Sequence, residues 1–191
     1  MATANRDKAR EIREILSGVP GLELLERPGS IPEVEETGDT LEANAALKAL
    51  AIAEATRLPA LADDTGLFVD ALDGAPGVYS ARYAGEDATY GDNVAKLLVE
   101  LAATDAGRTA RFQTAVVLAD PTGVLATVLG TVEGTIALSP RGEGGFGYDP
   151  VFVPDDAGGR TLAELSDAEK HAISHRGRAL RAMADRLGSQ R

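Results

Sequence analysis

The 191-residue chain contains no cysteine and no tryptophan, and aromatic residues make up only 4% of it. Because cysteine is absent, the chain forms neither disulfide bonds nor a cysteine-based metal site or nucleophile. No apolar run is long enough to span a bilayer, and no signal peptide opens the sequence. We therefore expect a cytoplasmic protein that does not contact membranes.

Positive charge is also scarce, since 19 lysines and arginines face 30 acidic residues and the net charge is −11. This balance argues against a general nucleic-acid-binding surface. It leaves room for a nucleotide site, where a few local cations can reverse the field. The remaining composition, with 44% hydrophobic and 26% charged residues, is typical of a globular protein that can bury a core.

Two adjacent acids, Asp63 and Asp64, follow an apolar run over residues 60–62 and precede Thr65 and Gly66. If the segment is a strand, the two side chains point to opposite faces and cannot both be buried in one core. The pair indicates either a hard-metal site for Mg²⁺ or Mn²⁺, with one carboxylate acting as a base, or an exposed turn between hairpin strands. Taken alone, the local pattern favours the turn. The glycine permits a tight bend or the close approach of a ligand.

The spacing of apolar and β-branched residues predicts both helices and strands. Helices are predicted over residues 6–17, 41–57 and 90–103 and from residue 174 onward. Strands are predicted over residues 21–27, 110–119, 124–132 and 134–138, with a hairpin turn between the second and third of these.

The start of the first helix, capped by Asn5, offers backbone N–H groups and a positive dipole end, which suit a phosphate. Lys8, one turn later, adds a point charge, although a solvated lysine on a capped surface helix fits the same pattern. Asn44 and Lys48 lie four residues apart and share one face of the second helix. That face looks into either a cleft or water.

Residues 142–150 are the densest glycine segment and carry Phe146 and Tyr148. Glycines around two aromatic rings predict a loop that approaches a flat ligand closely. A flexible surface loop with its rings in the core is the equal alternative. A lone histidine is more often structural than catalytic, but His175 next to Arg176 at a helix start is a better donor pair for an anion or a carbonyl than most.

Seven blocks, met in one order, are similar to motifs of the inosine triphosphate pyrophosphatase family, the dITP/XTP pyrophosphatases that remove deaminated purine nucleotides. The blocks are TANRDK (3–8), ETG (36–38), NAALKA (44–49), ADDTGL (62–67), GAPGVYSARY (74–83), GGFGYDP (144–150) and EKHAISHRG (169–177). The resemblance implies an α/β fold in which a long, twisted mixed sheet and flanking helices form two lobes with an active cleft between them, so that residues 1–191 are one domain. It also implies a homodimer.

The implied activity is Mg²⁺-dependent hydrolysis of ITP, dITP and XTP to the monophosphate and pyrophosphate, with Mn²⁺ as an alternative metal. The segment that wraps the triphosphate corresponds to Thr3, Ala4, Asn5, Arg6, Asp7 and Lys8. Lys48 would join Asn5 and Lys8 in holding phosphate oxygens. Glu36 and Asp64 would bind the metal. The implied catalytic residues are Asp64 as proton acceptor, Asp63 in support, and the two lysines.

The resemblance also assigns the residues that bind the purine base. Thr65 would touch the substrate, and the implied base-binding residues are Phe146, Gly147, Tyr148, Asp149, Lys170, His175 and Arg176. Phe146 would stack on the purine. Hypoxanthine and xanthine present a carbonyl at C6 where adenine presents an amino group, so donors such as His175 and Arg176 would stay unpaired against adenine. An unpaired buried donor costs on the order of 1–3 kcal/mol.

Three departures from the family pattern carry expectations. The family begins with a strand before residue 3, whereas here Met1 and Ala2 precede it, so we expect exposed sheet edges and a loosened phosphate loop. Ala4 replaces a common glycine and predicts strain if its φ is positive. Ala43 removes the capping-box partner of Thr40.

Two other functions stay open. A related pyrophosphatase for other modified nucleotides, such as modified pyrimidines, would share these motifs. A nucleotide-binding homologue without turnover would follow from the missing strand. A plain structural domain would leave the combination of Glu36, Lys48 and Asp64 unexplained.

Overall fold

A computed structural model of the chain describes residues 1–104 and 106–189. The helices are α1 (Arg6–Leu16), α2 (Leu41–Thr56), α3 (Tyr90–Ala102), α4 (Asp167–Ile173) and α5 (His175–Ser189). The strands are β1 (Ala60–Val69), β2 (Pro76–Gly77), β3 (Thr109–Asp120), β4 (Gly123–Ile136) and β5 (Phe152–Pro154). The strands form a five-stranded sheet in the order β2-β1-β3-β4-β5, in which β1 and β2 are antiparallel, as are β4 and β5. The predicted α/β class is confirmed.

The predicted helices are confirmed to within a residue or two because their ends are encoded locally. Asn5 caps α1 as predicted, and the Thr40 hydroxyl caps α2 by accepting the Ala43 N–H at 3.1 Å. Alanine at position 43 cannot return a side-chain bond, as Asp92 does in the complete capping box of α3. No helix in the described part of the chain combines the length and hydrophobicity that crossing a membrane requires.

Two of the predicted strands are wrong. The hairpin of β3 and β4 has the predicted turn, but β4 continues to Ile136, so residues 134–138 are not a separate strand. Residues 22–28 have no regular secondary structure. The side chains of Leu22 and Leu24 in that segment are only partly buried against a hydrophobic core.

The chain divides into two compact units. Unit 1 comprises Met1–Asp64, Thr114–Gly130 and the described residues from Arg176 onward, and unit 2 comprises Thr65–Gln113 and Thr131–His175. In unit 1, Ile12 of α1 belongs to a core with Leu180 and Met183 of α5. In unit 2, Leu97 of α3 and Phe152 of β5 belong to a second core. That residues 1–191 form one domain stays a prediction.

The first two residues are buried against β1. The Ala2 N–H donates to the Leu61 carbonyl at 2.7 Å, and the Met1 ammonium donates to the Leu25 carbonyl at 2.9 Å. Met1 and Ala2 are 9% and 5% exposed. At Leu61 the edge of β1 is therefore paired and not exposed as expected, because the Ala2 N–H bonds to its carbonyl.

Ala4 carries no backbone strain. Within residues 1–104 and 106–189, positive φ at non-glycine positions is confined to Arg57 (59°) and Asp73 (52°). A Cβ at position 4 is therefore compatible with the local backbone, and the strain considered for it is absent.

Candidate active site

Strand β1 carries Asp63 and Asp64 without a turn. Both side chains are buried, with Asp63 1% and Asp64 5% exposed. The exposed turn favoured by the local sequence is therefore wrong. Gly66 serves sheet packing, because a Cβ there would lie 2.6 Å from the Gly77 carbonyl oxygen of β2.

Lys48 brings two carboxylates from distant segments together. Its ammonium donates to Glu36 Oε1 at 2.7 Å and to Asp64 Oδ1 at 2.8 Å. The three side chains come from the segment before α2, from α2 itself and from β1, and they are largely buried. This contact joins the residues that the resemblance assigned to metal and phosphate. Its two acids would repel one another without the shared cation.

Asn44 fixes the segment that carries Glu36. The Gly38 N–H donates to Asn44 Oδ1 at 2.7 Å, and Asn44 is 1% exposed. A Cβ at Gly38 would lie 2.7 Å from the Ala43 Cβ, so the segment lies directly against the start of α2. Because Lys48 follows Asn44 by four residues on the same helix face, this anchor places Glu36 beside the lysine. The shared face predicted for Asn44 and Lys48 therefore looks inward.

Asp63 has its own set of cations. Arg176 donates from Nε and Nη2 to Asp63 Oδ2, both at 3.2 Å, and the Lys8 ammonium lies 3.5 Å from the same oxygen. Arg176 Nη1 also donates to Glu11 Oε2 at 2.5 Å. Glu11 was missed by the sequence analysis, although its position three residues after Lys8 places it on the same face of α1.

The acids and cations joined by the contacts above form one group, which we call the charged cluster. All seven of its residues belong to unit 1. The cluster consists of Lys8, Glu11, Glu36, Lys48, Asp63, Asp64 and Arg176.

The two adjacent acids have pKa values that move apart. Burial by itself would raise the pKa of Asp63, but the Lys8 ammonium and the Arg176 guanidinium outweigh it and hold that pKa well below its usual range. Burial raises the pKa of Asp64, and the Lys48 ammonium offsets only part of the rise. A carboxylate held ionised beside one with raised proton affinity is the arrangement from which acid–base roles are assigned. Asp64 therefore has the higher proton affinity of the pair.

Asn5 caps α1 with its side chain. Asn5 Oδ1 accepts the N–H groups of Asp7 at 2.9 Å and Lys8 at 3.1 Å, and the Thr3 hydroxyl accepts the Asn5 N–H at 3.1 Å. The cap is as predicted, but it engages two of the backbone donors that the helix start was expected to offer to a phosphate. Of the other residues in this segment, Ala4 and Arg6 are exposed.

The glycine loop of unit 2 is organised by Asp149. Its Oδ2 accepts the Phe146 N–H at 2.8 Å and the Lys170 ammonium at 2.6 Å. Gly145 has φ +68°, and a Cβ there would lie 2.1 Å from the same oxygen, so the turn requires glycine. The Lys170 ammonium lies 4.8 Å from the centre of the Phe146 ring. The centres of the Tyr90 and Phe146 rings are 5.9 Å apart. We call Tyr90, Phe146, Asp149 and Lys170 the loop cluster.

Tyr148 belongs to the core of unit 2 and not to the surface of the loop. It is 5% exposed, and its hydroxyl donates to the Ser80 carbonyl at 2.9 Å. Phe146 is partly exposed and lines a pocket of about 490 Å³ between the glycine loop and α3. The sequence allowed either a loop that approaches a flat ligand or a loop with its rings in the core. The Tyr148 ring packs in the core, and the Phe146 ring borders the open pocket.

His175 and Arg176 occupy different surroundings. The His175 ring stacks on the Phe112 ring, with 4.4 Å between ring centres and 15° between ring planes. Arg176 holds Asp63 and Glu11, and both members of the predicted donor pair are buried. Lys170 is buried too, at 3% exposed. Lys170, His175 and Arg176, all predicted to bind the base, therefore each contact another protein side chain in the structure.

Two predicted residues remain. Thr65 follows Asp64 in β1 and is partly buried. Gly147 has φ +62°, which supports a tight turn after Phe146. Neither position conflicts with the contacts above.

The acids beside Lys48 suit a hard divalent cation. Within the described residues, no group of three or more His, Cys, Asp and Glu side chains is arranged to hold a metal by itself. Mg²⁺, however, is usually held by one or two carboxylates together with phosphates and water. Glu36 and Asp64 provide two such carboxylates, and the buried Asp64 Oδ2 has no hydrogen-bond partner among the described residues. The donor set therefore fits Mg²⁺ bound together with a polyphosphate.

An α/β scaffold with buried acids and lysines converging in one cluster defines a class of protein whose site suits a polyphosphate and a hard cation. The chain belongs to the Ham1 family, whose family model matches residues 1–186. The resemblance drawn from the seven motif blocks is thereby confirmed.

Individual relatives match nearly the full length of this chain. A Geobacter sulfurreducens protein named dITP/XTP pyrophosphatase is 53% identical over 192 residues, which cover 100% of this chain and 96% of the relative. A Rhodospirillum centenum protein of the same name is 50% identical and is matched over 97% of this chain and 92% of its own. The structure of a HAM1 protein from Coxiella burnetii has a TM-score of 0.87 and 42% identity, covering 98% of this chain and 96% of that one.

Proposed function

We propose that the chain is a Mg²⁺-dependent nucleoside triphosphate pyrophosphatase that hydrolyses ITP, dITP and XTP to the monophosphate and pyrophosphate. The observation that carries the proposal is the single ammonium of Lys48 held between Glu36 and Asp64. The names of the full-length relatives support the same reaction.

The lysines of the charged cluster are proposed to hold the triphosphate. Phosphoryl chemistry needs an in-line arrangement and neutralisation of spreading negative charge more than it needs covalent help. The Lys48 and Lys8 ammonium groups now lie against carboxylates and can exchange these for phosphate oxygens. Glu36 and Asp64 would hold Mg²⁺, which when bound supplies further neutralisation of the phosphate charge.

Asp64 is proposed to accept the proton of the attacking water. Water adds to the α-phosphorus, the bond from that phosphorus to the oxygen bridging to the β-phosphorus breaks, and pyrophosphate leaves. Asp64 Oδ2 is buried with no hydrogen-bond partner among the described residues, so it can take up this proton. Asp63, fixed by Arg176, keeps its charge and holds the Lys8 ammonium until the triphosphate binds.

The base is proposed to stack on Phe146, whose loop is held by Asp149 and Lys170. His175 is proposed to donate to the C6 carbonyl of hypoxanthine or xanthine. Adenine offers an amino group there and would leave the donor unpaired, which corresponds to roughly tenfold to hundredfold discrimination. Arg176 is proposed to assist, although the carboxylates of Asp63 and Glu11 already accept from it.

Pyrophosphate release from ITP, XTP, GTP and ATP, measured with Mg²⁺ and after chelation, tests the proposal. We expect ITP and XTP to be preferred and chelation to stop the reaction. Equal rates for ATP and ITP would contradict the assigned specificity. Adding dUTP and dTTP to the series separates this proposal from a pyrophosphatase for modified pyrimidines.

The alternative of nucleotide binding without turnover predicts that ITP binds and no pyrophosphate appears. Its premise is the absent first strand, and in the structure Met1 and Ala2 bond to the backbone carbonyls of Leu25 and Leu61. Calorimetric titration with ITP beside the release assay distinguishes the two. A homodimer and a cytoplasmic location stay predictions, and light scattering measures the first.

A further inference from the structure

The His175 ring rests on a neighbour that the motif blocks do not contain. Phe112 of β3 lies nearly parallel to it, with 4.4 Å between ring centres and 15° between ring planes. The two residues are 3% and 5% exposed. Stacking of this kind resists tilting of the imidazole plane away from the Phe112 ring.

Phe112 is itself held firmly. Its ring packs edge-on against Phe152, with 4.8 Å between centres and 63° between planes. Phe112 and Phe152 lie in β3 and β5 and belong to the core of unit 2. Phe112 therefore offers His175 a fixed surface.

The stack decides which part of the imidazole can meet a ligand. Phe112 covers one ring face, so ligand contacts of the nitrogen atoms, which lie in the ring plane, are made at the ring edge. The backbone is fixed as well, because His175 begins α5 directly after Ser174, whose N–H donates to the Lys170 carbonyl at 2.8 Å. A donor with a fixed direction can donate to a carbonyl oxygen in its path, whereas an amino group at the same place leaves it unpaired.

We propose that Phe112 is a positioning residue that fixes the plane of the His175 ring and thereby gives the enzyme its preference for purines with an oxygen at C6. The inference rests on the proposed function, in which His175 donates to the base. It places the origin of specificity partly on a residue that is not assigned to touch substrate.

The test compares Phe112→Leu with Phe152→Leu, which removes the same ring from the same core, and with Phe112→Tyr, which keeps an aromatic face. The first readout is the imidazole NMR signals, since the chain has two histidines and His171 of α4 serves as the reference. Phe112→Leu should move the His175 signals by removing the ring current, and Phe112→Tyr should keep them near their original position.

The second readout is the ratio of kcat/KM for ITP to that for ATP. Phe112→Leu should lower this ratio by about tenfold, because the donor loses its fixed direction. Phe152→Leu should lower the ratio less, even if it lowers Tm as much, because Phe152 reaches His175 only through Phe112. Phe112→Tyr should restore it. If Phe112→Leu does not fold, Phe112→Met makes the same comparison with a flexible apolar side chain.

An unchanged His175 signal in Phe112→Leu would overturn the proposal, as would a nucleotide ratio that falls equally in Phe112→Leu and Phe152→Leu. If the wild-type protein releases no pyrophosphate from ITP, the proposed function fails instead. The NMR comparison then still shows whether the His175 ring lies against Phe112.

Discussion

The charged cluster of unit 1 and the loop cluster of unit 2 are built from different forces. In the charged cluster, acids and cations alternate and are buried, so each charge depends on its partners. In the loop cluster, a single ion pair between Asp149 and Lys170 supports a partly exposed aromatic ring. The charged cluster is held together by balanced buried charges. The loop cluster is held in a fixed loop conformation that positions the Phe146 ring.

This difference has a consequence for mutation. Removing one partner from a buried ion pair leaves an uncompensated charge and costs on the order of 3–5 kcal/mol, whereas trimming a partly exposed ring mainly removes contact area. Changes in the charged cluster should therefore act on turnover and metal use. Changes in the loop cluster should act on binding.

The largest effect is expected for Asp64→Asn. The amide keeps the shape of the carboxylate but cannot accept a proton, so kcat for ITP should fall by about 10²–10⁴-fold with the fold intact. Asp70→Asn is the matched control, because Asp70 directly follows β1 and pairs with Arg111 in an exposed salt bridge. Stopped assays of pyrophosphate and circular dichroism measure both. Near-normal release by Asp64→Asn would refute its role and remove the contrast between the two clusters.

Glu36→Gln should have the next largest effect. Its loss as a charged ligand should raise the Mg²⁺ concentration for half-maximal rate by roughly 10–100-fold, the range seen when metal sites lose a supporting group. Glu35→Gln is the control, since its side chain is exposed one residue earlier. A Mg²⁺ titration of the rate measures the shift. Equal curves for the two variants would mean that Glu36 does not hold the metal.

The sequence predicted what local pattern encodes. Helix ends at Asn5 and Thr40 and the turn between β3 and β4 follow from residues only a few positions apart. The acids of β1 were misread as a turn because their cations lie elsewhere: Lys48 is 16 residues from Asp64, and Arg176 is 113 residues from Asp63. The family motifs name Lys48 for phosphate and Arg176 for the base, and the pairing of each with an acid of β1 is seen only in the packed structure.

Other residues could not be placed without the packed structure. Glu11 meets Arg176 across 165 residues, and no local signal joins them. Tyr148 stands in a motif block beside Phe146, yet its ring packs into the core and its hydroxyl bonds to Ser80. A motif records that residues occur together, whereas the direction of each side chain depends on the surrounding core.

Phe146→Ala should change binding more than turnover. Stacking on an aromatic ring contributes about 1–3 kcal/mol per base, so KM for ITP should rise roughly tenfold or more while kcat falls less. Phe146→Tyr keeps a ring of similar size and serves as the control. Steady-state kinetics on ITP measures both constants. A large fall in kcat at unchanged KM would assign Phe146 to the chemistry and contradict the division between the clusters.

The smallest effect is expected for Glu169→Ala, which tests how the loop cluster is held. Hydrogen bonds from the Ser166 N–H and hydroxyl, joined by Arg160, lower the pKa of Glu169 from 4.5 to about 2. A carboxylate whose pKa is lowered on folding stabilises the fold at pH values above its pKa in the unfolded chain, which is near 4.5. That contribution is lost as the pH falls toward the folded-state pKa of about 2. The variant should therefore lower Tm by about 1–4 °C at pH 7 and by less at pH 3.

Thermal melts of Glu169→Ala and of the exposed control Glu143→Ala at both pH values measure this difference. The rate on ITP should stay near that of the wild-type protein, because Glu169 caps α4 and the cap acts on Lys170 only through the helix. A Tm difference that does not shrink on acidification would mean that the capping carboxylate is not what stabilises α4. A fall in kcat comparable to that of Asp64→Asn would instead mean that the helix carrying Lys170 serves the chemistry as directly as the charged cluster does.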